Sequence, residues 1–271
     1  RDTLQSSHAI SPRTSSAPMR LIVLASGSSG NCALVESGGR AVLLDAGISA
    51  RETLRRITAA GAADARIEAI LLTHEHVDHV RGARVLARRL GVPVMGTAGT
   101  LQAAAGCLVD VPETATIGRR DQFSVAGLRV RSFATQHDAS EACGYVFESR
   151  AGHRVGVATD TGVVTPEIAE ALGGCHALGL ESNHDERMLE AGPYPPFLKR
   201  RIAGDRGHLS NSAAATALAA LRWNGLAHVY ALHLSEQNNT PGHARSALAR
   251  ALGDRASLET IARNEIGGCV L

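Results

Sequence analysis

Aromatic residues make up only 3% of this 271-residue chain, and lysine is nearly missing: Lys199 is the single lysine among 28 basic side chains. A core must therefore be built mainly from aliphatic side chains. Hydrophobic content of 44% is enough for one large α/β domain or two small ones. The arginine bias reads as composition, not mechanism. With a formal net charge of +2 there is no global field to draw in a polyanion, so any anion-binding surface must be a local patch. The five cysteines (Cys32, Cys107, Cys143, Cys175 and Cys269) form no CxxC pair. Their odd number argues against a disulfide framework and for a reducing compartment. No apolar run approaches the ~18 residues of a membrane span, which argues against a membrane partner. The opening RDTLQSSHAISPRTSSAP lacks the apolar middle of a secretory signal. Its Ser and Pro content predicts a disordered tail over residues 1–18, with Met19 a candidate initiator, and a cytoplasmic location.

Regular patterning starts near Leu21. LIVLA (21–25), CALVE (32–36) and AVLLD (41–45) are short apolar runs separated by Gly/Ser turns, the signature of an antiparallel meander. A helix is expected over 49–61 with Ser49 as N-cap, then a strand in IEAILLT, a helix through VRGARVLARRL to Gly91, a strand in VPVMG and a helix in TAGTLQAAAG. The second half starts over. FSV, LRVRSFA, CGYVFES and HRVGVAT read as strands, followed by a helix near 165–172 and the strand ALGLE. SNSAAATALAALRW reads as a helix, AHVYALHL as a strand and PGHARSALARAL as a last helix. Two groups of strands, each with helices, predict an α/β protein of two sheets packed face to face with helices outside. No internal sequence repeat or linker is visible, so residues 19–271 are expected to form one domain.

The stretch LLTHEHVDH (71–79) crowds His74, His76, Asp78 and His79 into the end of a predicted strand. Four titratable side chains there would be costly to desolvate without a cation. They cannot easily share one tetrahedral ion without strain, and two ions taking two groups each fit more naturally. Each ion then lacks ligands. His137, Asp160 and His233 follow later apolar runs, and all are residue types that bind borderline metals. A carboxylate such as Asp160 can bridge two ions.

THEHVDH resembles the HxHxDH signature of the metallo-β-lactamase superfamily, with His137, Asp160 and His233 in the remaining motif positions. The resemblance implies an αββα four-layer sandwich of two mixed sheets with helices outside. It also implies two divalent metal ions, Mn²⁺ or Zn²⁺. His74, His76 and His137 would hold one, Asp78, His79 and His233 the other, and Asp160 would bridge them.

HxHxDH alone does not settle a substrate. ASGSSGNC (25–32), ATDTG (158–162), ESNHDERML (181–189), GPYPPFLKRRI (192–202), RGHLSN (206–211) and LSEQNNTP (234–241) together resemble the YycJ/WalJ-like branch. That branch is associated with metal-dependent 5′→3′ exonuclease activity on DNA. RGHLS before an Ala-rich helix also resembles the His-Ser-Thr stretch of the tRNA 3′-processing nucleases. There a histidine assists at the scissile phosphate and a glutamate orients it; His208 and Glu181 are the matching positions. Asp78, His208 and Glu181 are thus the candidate catalytic groups.

For substrate binding, Lys199, Arg200, Arg201 and Arg206 are expected near the site mouth, where they would track a phosphate backbone. Ser210 as N-cap would leave backbone N–H groups for a phosphate, and His184 and Asn31 are further candidates. Arg81, Arg84 and Arg88 would share one helix face, for which a solvated surface is the plainer account. His8, His153, His176, His228 and His243 are read as tail, turn, or helix and strand residues with no catalytic role. The expected partner is a nucleic acid, DNA ahead of RNA; a small phosphodiester substrate of the same fold, or a non-catalytic metal-bound module, are the rivals. Oligomeric state is left open.

Overall fold

The structure is a computed structural model and describes residues 17–262 and 265–271. Residues 1–16 of the expected tail, with His8, lie outside the described residues.

Strands β1 (Met19–Ala25), β2 (Cys32–Ser37) and β3 (Arg40–Leu44) form the expected meander. Helix α1 (Ala50–Ala59) then crosses to β4 (Arg66–Leu71), which lies parallel to β3. Helices α2 (Val77–Val80) and α3 (Ala83–Leu90) lead to β5 (Val94–Gly96), and α4 (Ala98–Ala103) to β6 (Thr114–Thr116). The second half repeats this course. Strands β7 (Gln122–Val125), β8 (Leu128–Ala134), β9 (Cys143–Glu148) and β10 (Arg154–Ala158) run antiparallel. Helix α5 (Pro166–Leu172) crosses to the parallel strand β11 (Ala177–Glu181). Helices α6 (Glu186–Ala191), α7 (Pro196–Ile202) and α8 (Asn211–Leu221) precede β12 (His228–Leu232). Finally α9 (Pro241–Leu252) leads to β13 (Ser257–Thr260), and β14 (Gly267–Val270) returns to the first sheet. The two mixed sheets are seven-stranded, in orders β14-β1-β2-β3-β4-β5-β6 and β13-β12-β11-β10-β9-β8-β7.

Period-2 alternation along the strands builds the layers. In β1, Met19, Leu21 and Val23 face the second sheet, where they meet a core that includes Tyr145, Phe147, Val157 and Tyr230. The alternate residues Ile22 and Leu24 face outward, into a cluster with Ile57 of α1 and Leu86 of α3. On the far side, Leu178, Leu180 and Val229 meet Ile168, Leu218 and Leu248 from α5, α8 and α9. Helix, sheet, sheet, helix is the expected four-layer sandwich. Among the described residues no helix is long and apolar enough to cross a membrane.

Some elements differ from the sequence reading. The helix expected through VRGARVLARRL breaks at Arg81–Gly82. A Cβ on Gly82 would sit 2.1 Å from the Ile48 carbonyl oxygen, and the Gly82 N–H donates to the Ala46 carbonyl (2.7 Å). The chain bends there so that the β3–α1 connection can pass. Arg81 consequently falls outside the regular helix, Arg84 pairs with Asp110, and Arg88 is exposed, as a solvated face would have it. β6, β13 and β14, and helices α6 and α7, were not anticipated.

Candidate metal centre

Both halves of the molecule send strand ends to one edge of the sandwich, where rigid elements hold loop side chains in register. The 74–79 loop follows β4 and is sewn to two neighbouring connections. The Asn31 N–H donates to the Asp78 carbonyl (2.8 Å), the Ala46 N–H to the His79 carbonyl (2.8 Å), and the Gly47 N–H to the Asn31 carbonyl (2.8 Å). A Cβ on Gly47 would lie 1.6 Å from the Asp78 carbonyl oxygen, so only glycine permits this approach. Three other site residues hold left-handed backbone: Asp45 (φ 58°), Asp160 (φ 56°) and His233 (φ 55°). Such conformations are unfavourable for side chains with a Cβ and persist where the surroundings over-determine them. Each lies just past a strand, at β3, β10 and β12.

Hydrogen bonds settle which imidazole nitrogen faces inward. His137 Nδ1 lies 3.1 Å from the Gly207 carbonyl oxygen, which can only accept, so Nδ1 carries the proton. By the same logic His79 Nδ1 donates to Asp45 (2.8 Å) and His233 Nδ1 to Glu181 (3.1 Å). The Thr73 hydroxyl donates to Asp45 (2.9 Å) and so accepts from His74 Nδ1 (3.0 Å). Four histidines thereby turn Nε2 inward, and His76 turns Nδ1 inward, 3.0 Å from His74 Nε2 and 3.3 Å from His137 Nε2. Outer acceptors that fix tautomer and ring orientation are characteristic of metal-ligating histidines.

His74, His76 and His137 bring one nitrogen each within 4.8 Å of one another, as do the donor atoms of Asp78, His79 and His233. Asp160 stands between the sets: Oδ2 is 3.3 Å from His79 Nε2, while Oδ1 is 3.5 Å from His233 Nε2 and 3.8 Å from His137 Nε2. Asp160 Oδ2 and His233 Nε2 are buried without any hydrogen-bond partner. An all-N/O donor set with orphaned atoms aimed inward fits divalent cations. The electrostatics agree. Burial, then neighbouring His79, His137 and His76, hold His74 well below the ordinary imidazole range. Burial opposes charge on His233 too, but Asp160, Asp78 and Glu181 around it raise its pKa to about 10. Carboxylates that favour a proton this strongly would equally favour a metal ion.

Asp45 was missed by the sequence reading. It accepts from the Thr73 N–H (2.8 Å), the Thr73 hydroxyl and His79, and so fixes the ligand loop from behind. The only signal was an aspartate closing the apolar run AVLLD.

Among the other candidates, His208 borders the cavity, of about 350 Å³, that opens on both donor sets. Its Nδ1 meets Glu181 Oε1 at 2.7 Å, and the second Glu181 oxygen accepts from the Thr161 N–H (2.9 Å). Burial pushes the His208 pKa down, yet Glu181 more than offsets this and the net shift is upward. Asn31 directs its amide at Asp78 (3.3 Å) and His79 Nε2 (2.9 Å). Arg201 lines the cavity and pairs with Asp138, whereas Lys199 bonds the Glu190 carbonyl and Arg200 is exposed on α7; neither lines the cavity. Arg206 donates to the His137 carbonyl (3.1 Å). Ser210 caps α8 by accepting from Ala213 N. The Asn211 N–H goes to the carbonyl of buried His184, so this helix end is largely satisfied from within, and neither Ser210 nor His184 lines the cavity.

Comparisons with known proteins show the family. The family model of the beta-lactamase superfamily domain matches residues 40–234. The chain is 35% identical to the exodeoxyribonuclease YycJ of Bacillus anthracis over 235 residues, which span 86% of this chain and 89% of that one. It is 32% identical to the exodeoxyribonuclease WalJ of Streptococcus pneumoniae over 234 residues, 85% and 87% of the two chains. The crystal structure of YhfI, a metallo-β-lactamase fold protein from Bacillus subtilis, superposes with a TM-score of 0.71. At 14% identity, over 93% of this chain and all of that one, it supports the fold alone. The chain is therefore a hydrolase of the metallo-β-lactamase superfamily and belongs, within it, to the branch that holds YycJ and WalJ.

Proposed function

We propose that the protein is a binuclear metal-dependent nuclease that hydrolyses phosphodiester bonds and acts on DNA as a 5′→3′ exonuclease. The observation that carries this reading is the convergence of both donor sets, His208 and Arg201 on one open cavity, in a chain aligned with YycJ and WalJ over most of its length. His74, His76 and His137 would hold one ion and Asp78, His79 and His233 the other, with Asp160 shared. When bound, two divalent ions polarise the phosphate and bring the pKa of a nucleophilic water toward neutrality. A donor set without cysteine suits Mn²⁺ as well as Zn²⁺.

The chain's own groups supply the rest. Glu181 holds the His208 Nδ1 proton, which leaves Nε2 to face the phosphate side. There it stabilises developing charge or delivers a proton to the leaving oxygen. Arg201 at the rim favours an incoming phosphate. Asn31 steadies Asp78 and His79. Cysteine usage favours a reducing setting such as the cytoplasm.

The test is metal-stripped protein restored with Mn²⁺ or Zn²⁺ and given single-stranded DNA labelled at its 3′ end. The expected result is a ladder shortening from the 5′ end, absent in Asp160→Ala. Two ions bound per chain without DNA cleavage, but with turnover of bis-p-nitrophenyl phosphate, would sink the nuclease reading and favour a small phosphodiester substrate.

A further inference from the structure

Four Phe, three Tyr and one Trp are all the aromatic residues in this chain. Tyr145, Tyr230, Phe133 and Phe147 are among its largest fully buried side chains. Two others, Tyr194 and Phe197, stand three positions apart, Tyr194 just before α7 and Phe197 in its first turn. Tyr194 lines the metal cavity. Phe197, in the first turn of α7, is 67% exposed, the highest value among the described large apolar side chains.

Helix geometry ties Phe197 to the site. Residues four apart on a helix share a face, and Arg201, four after Phe197, lines the cavity beside Leu198 and Ile202. Phe197 thus lies one helical turn from a guanidinium on the cavity wall, which Tyr194 also lines. Between the two rings lie Pro195, which caps α7, and Pro196 at its first position. Proline fixes φ, so this segment is stiff before anything binds, and little ordering is required of it on binding.

An exposed aromatic on a soluble protein is ordinary when isolated. Here Tyr194 lines the cavity beside Arg201, and the exposed Phe197 lies one helical turn from that guanidinium, with two prolines between the rings. Aromatic faces next to a basic groove are how proteins hold single-stranded nucleic acid, because every base offers a π-face. We propose that Tyr194 and Phe197 form a stacking platform for unpaired nucleobases next to the scissile phosphate, with Arg201 taking a backbone phosphate between platform and metals. This deepens, and rests on, the nuclease reading. It specifies the substrate as an unpaired strand end, since bases in a duplex already stack on one another. The contact is to the faces of bases, so the preference is for strandedness and not for sequence.

The experiment uses full-length, metal-loaded protein and two DNA oligomers. One carries 2-aminopurine at its first 5′ nucleotide, and its fluorescence falls on stacking. The other has abasic sites at its first two nucleotides. Wild type should quench the probe and should show a KM for the abasic oligomer roughly tenfold higher than for the intact one. Phe197→Leu should lose most of the quenching, raise KM for the intact oligomer roughly tenfold and leave kcat within about twofold. On the abasic oligomer it should behave as wild type, and Phe197→Trp should restore both readouts. Tyr194→Leu should follow Phe197→Leu. Unchanged quenching and KM in both leucine variants, with wild type degrading DNA, would overturn the platform and leave the nuclease reading standing. A wild type that neither binds nor degrades either oligomer would overturn both.

Discussion

Asp45 and Asp160 occupy matching places in the two halves of the molecule. Each comes just after the last strand of an antiparallel meander, before the chain crosses to a parallel neighbour. Each holds left-handed backbone, at φ 58° and 56°. Yet Asp45 stands behind the candidate ligands, with its carboxylate on Thr73 and His79, while Asp160 stands in front, with Oδ2 making no hydrogen bond. The strand reached by each crossover accounts for the difference. In the first half β4 ends in a loop bearing four donors, which fill the space before Asp45. In the second half β11 ends in Glu181, which turns to His208 and His233 and leaves the front to Asp160. One backbone device thus serves as a brace in one half and presents a candidate ligand in the other.

The largest expected effect separates these two roles. Asp160→Ala should remove the shared donor, leave the chain short of metal and abolish turnover at any practical metal concentration. Asp45→Asn should instead weaken metal binding by roughly 10–100-fold, as loss of an outer partner does, with activity recovered when Mn²⁺ is raised. Metal content per chain and rate against Mn²⁺ concentration check both. Recovery should come with stability, since saturating metal to about 100 times its Kd adds about 2.7 kcal/mol. An Asp45→Asn protein as inactive as Asp160→Ala with its metals in place would break the comparison.

Next in size is the group proposed to act at the phosphate without binding metal. His208→Ala should keep wild-type metal content and lose roughly 10²–10⁴-fold in kcat. Turnover at the wild-type rate would remove His208 from the chemistry and reduce the Glu181–His208 pair to a structural contact.

The same contrast explains what could be read from the sequence. The first half's donors are contiguous, so HEHVDH announced itself, and its apolar approach run marked a strand end. The second half's donors come from separate strand ends, and they could be found only because a metal site needs completing; family resemblance then gave their order. Asp45 escaped because AVLLD looks like any strand closed by a polar residue, and nothing local tells a brace from a turn residue. α7 escaped because GPYPPF interrupts the helical period. β14 escaped because GGCV has poor strand propensity; it pairs with β1 because Gly268 lets the β1 backbone come close, a Cβ there lying 2.5 Å from the Leu21 carbonyl oxygen. Which of the KRRI side chains faces the cavity depends on the helix rotation, and only the structure selects Arg201 over Lys199 and Arg200.

The smallest effect concerns the helices that make the two matching crossovers. α1 in the first half is strapped to β1 through Arg56, which donates to the Leu24 carbonyl (2.7 Å) and to Glu52 (2.6 Å). α5 in the second half is held through Glu167, which pairs with the exposed Arg120 and accepts from the Ala134 N–H. Hydrogen bonds from Arg55, then Arg56, lower the Glu52 pKa from 4.5 to about 2. A carboxyl whose pKa is lower folded than unfolded stabilises the fold above its unfolded value and loses that contribution as pH falls through the folded one. Glu52 is about a third exposed, at 32%, and solvent screening keeps the contribution under about 1 kcal/mol. Glu52→Gln should therefore lower the urea midpoint slightly at pH 7, and the gap from wild type should close as pH falls from 4.5 toward 2. Metal content at pH 7 should not move, because this strap holds the scaffold and touches none of the donors. A loss of metal in Glu52→Gln would mean that the outer helix layer and the ligand loop are coupled through β1, and the brace would then extend beyond Asp45.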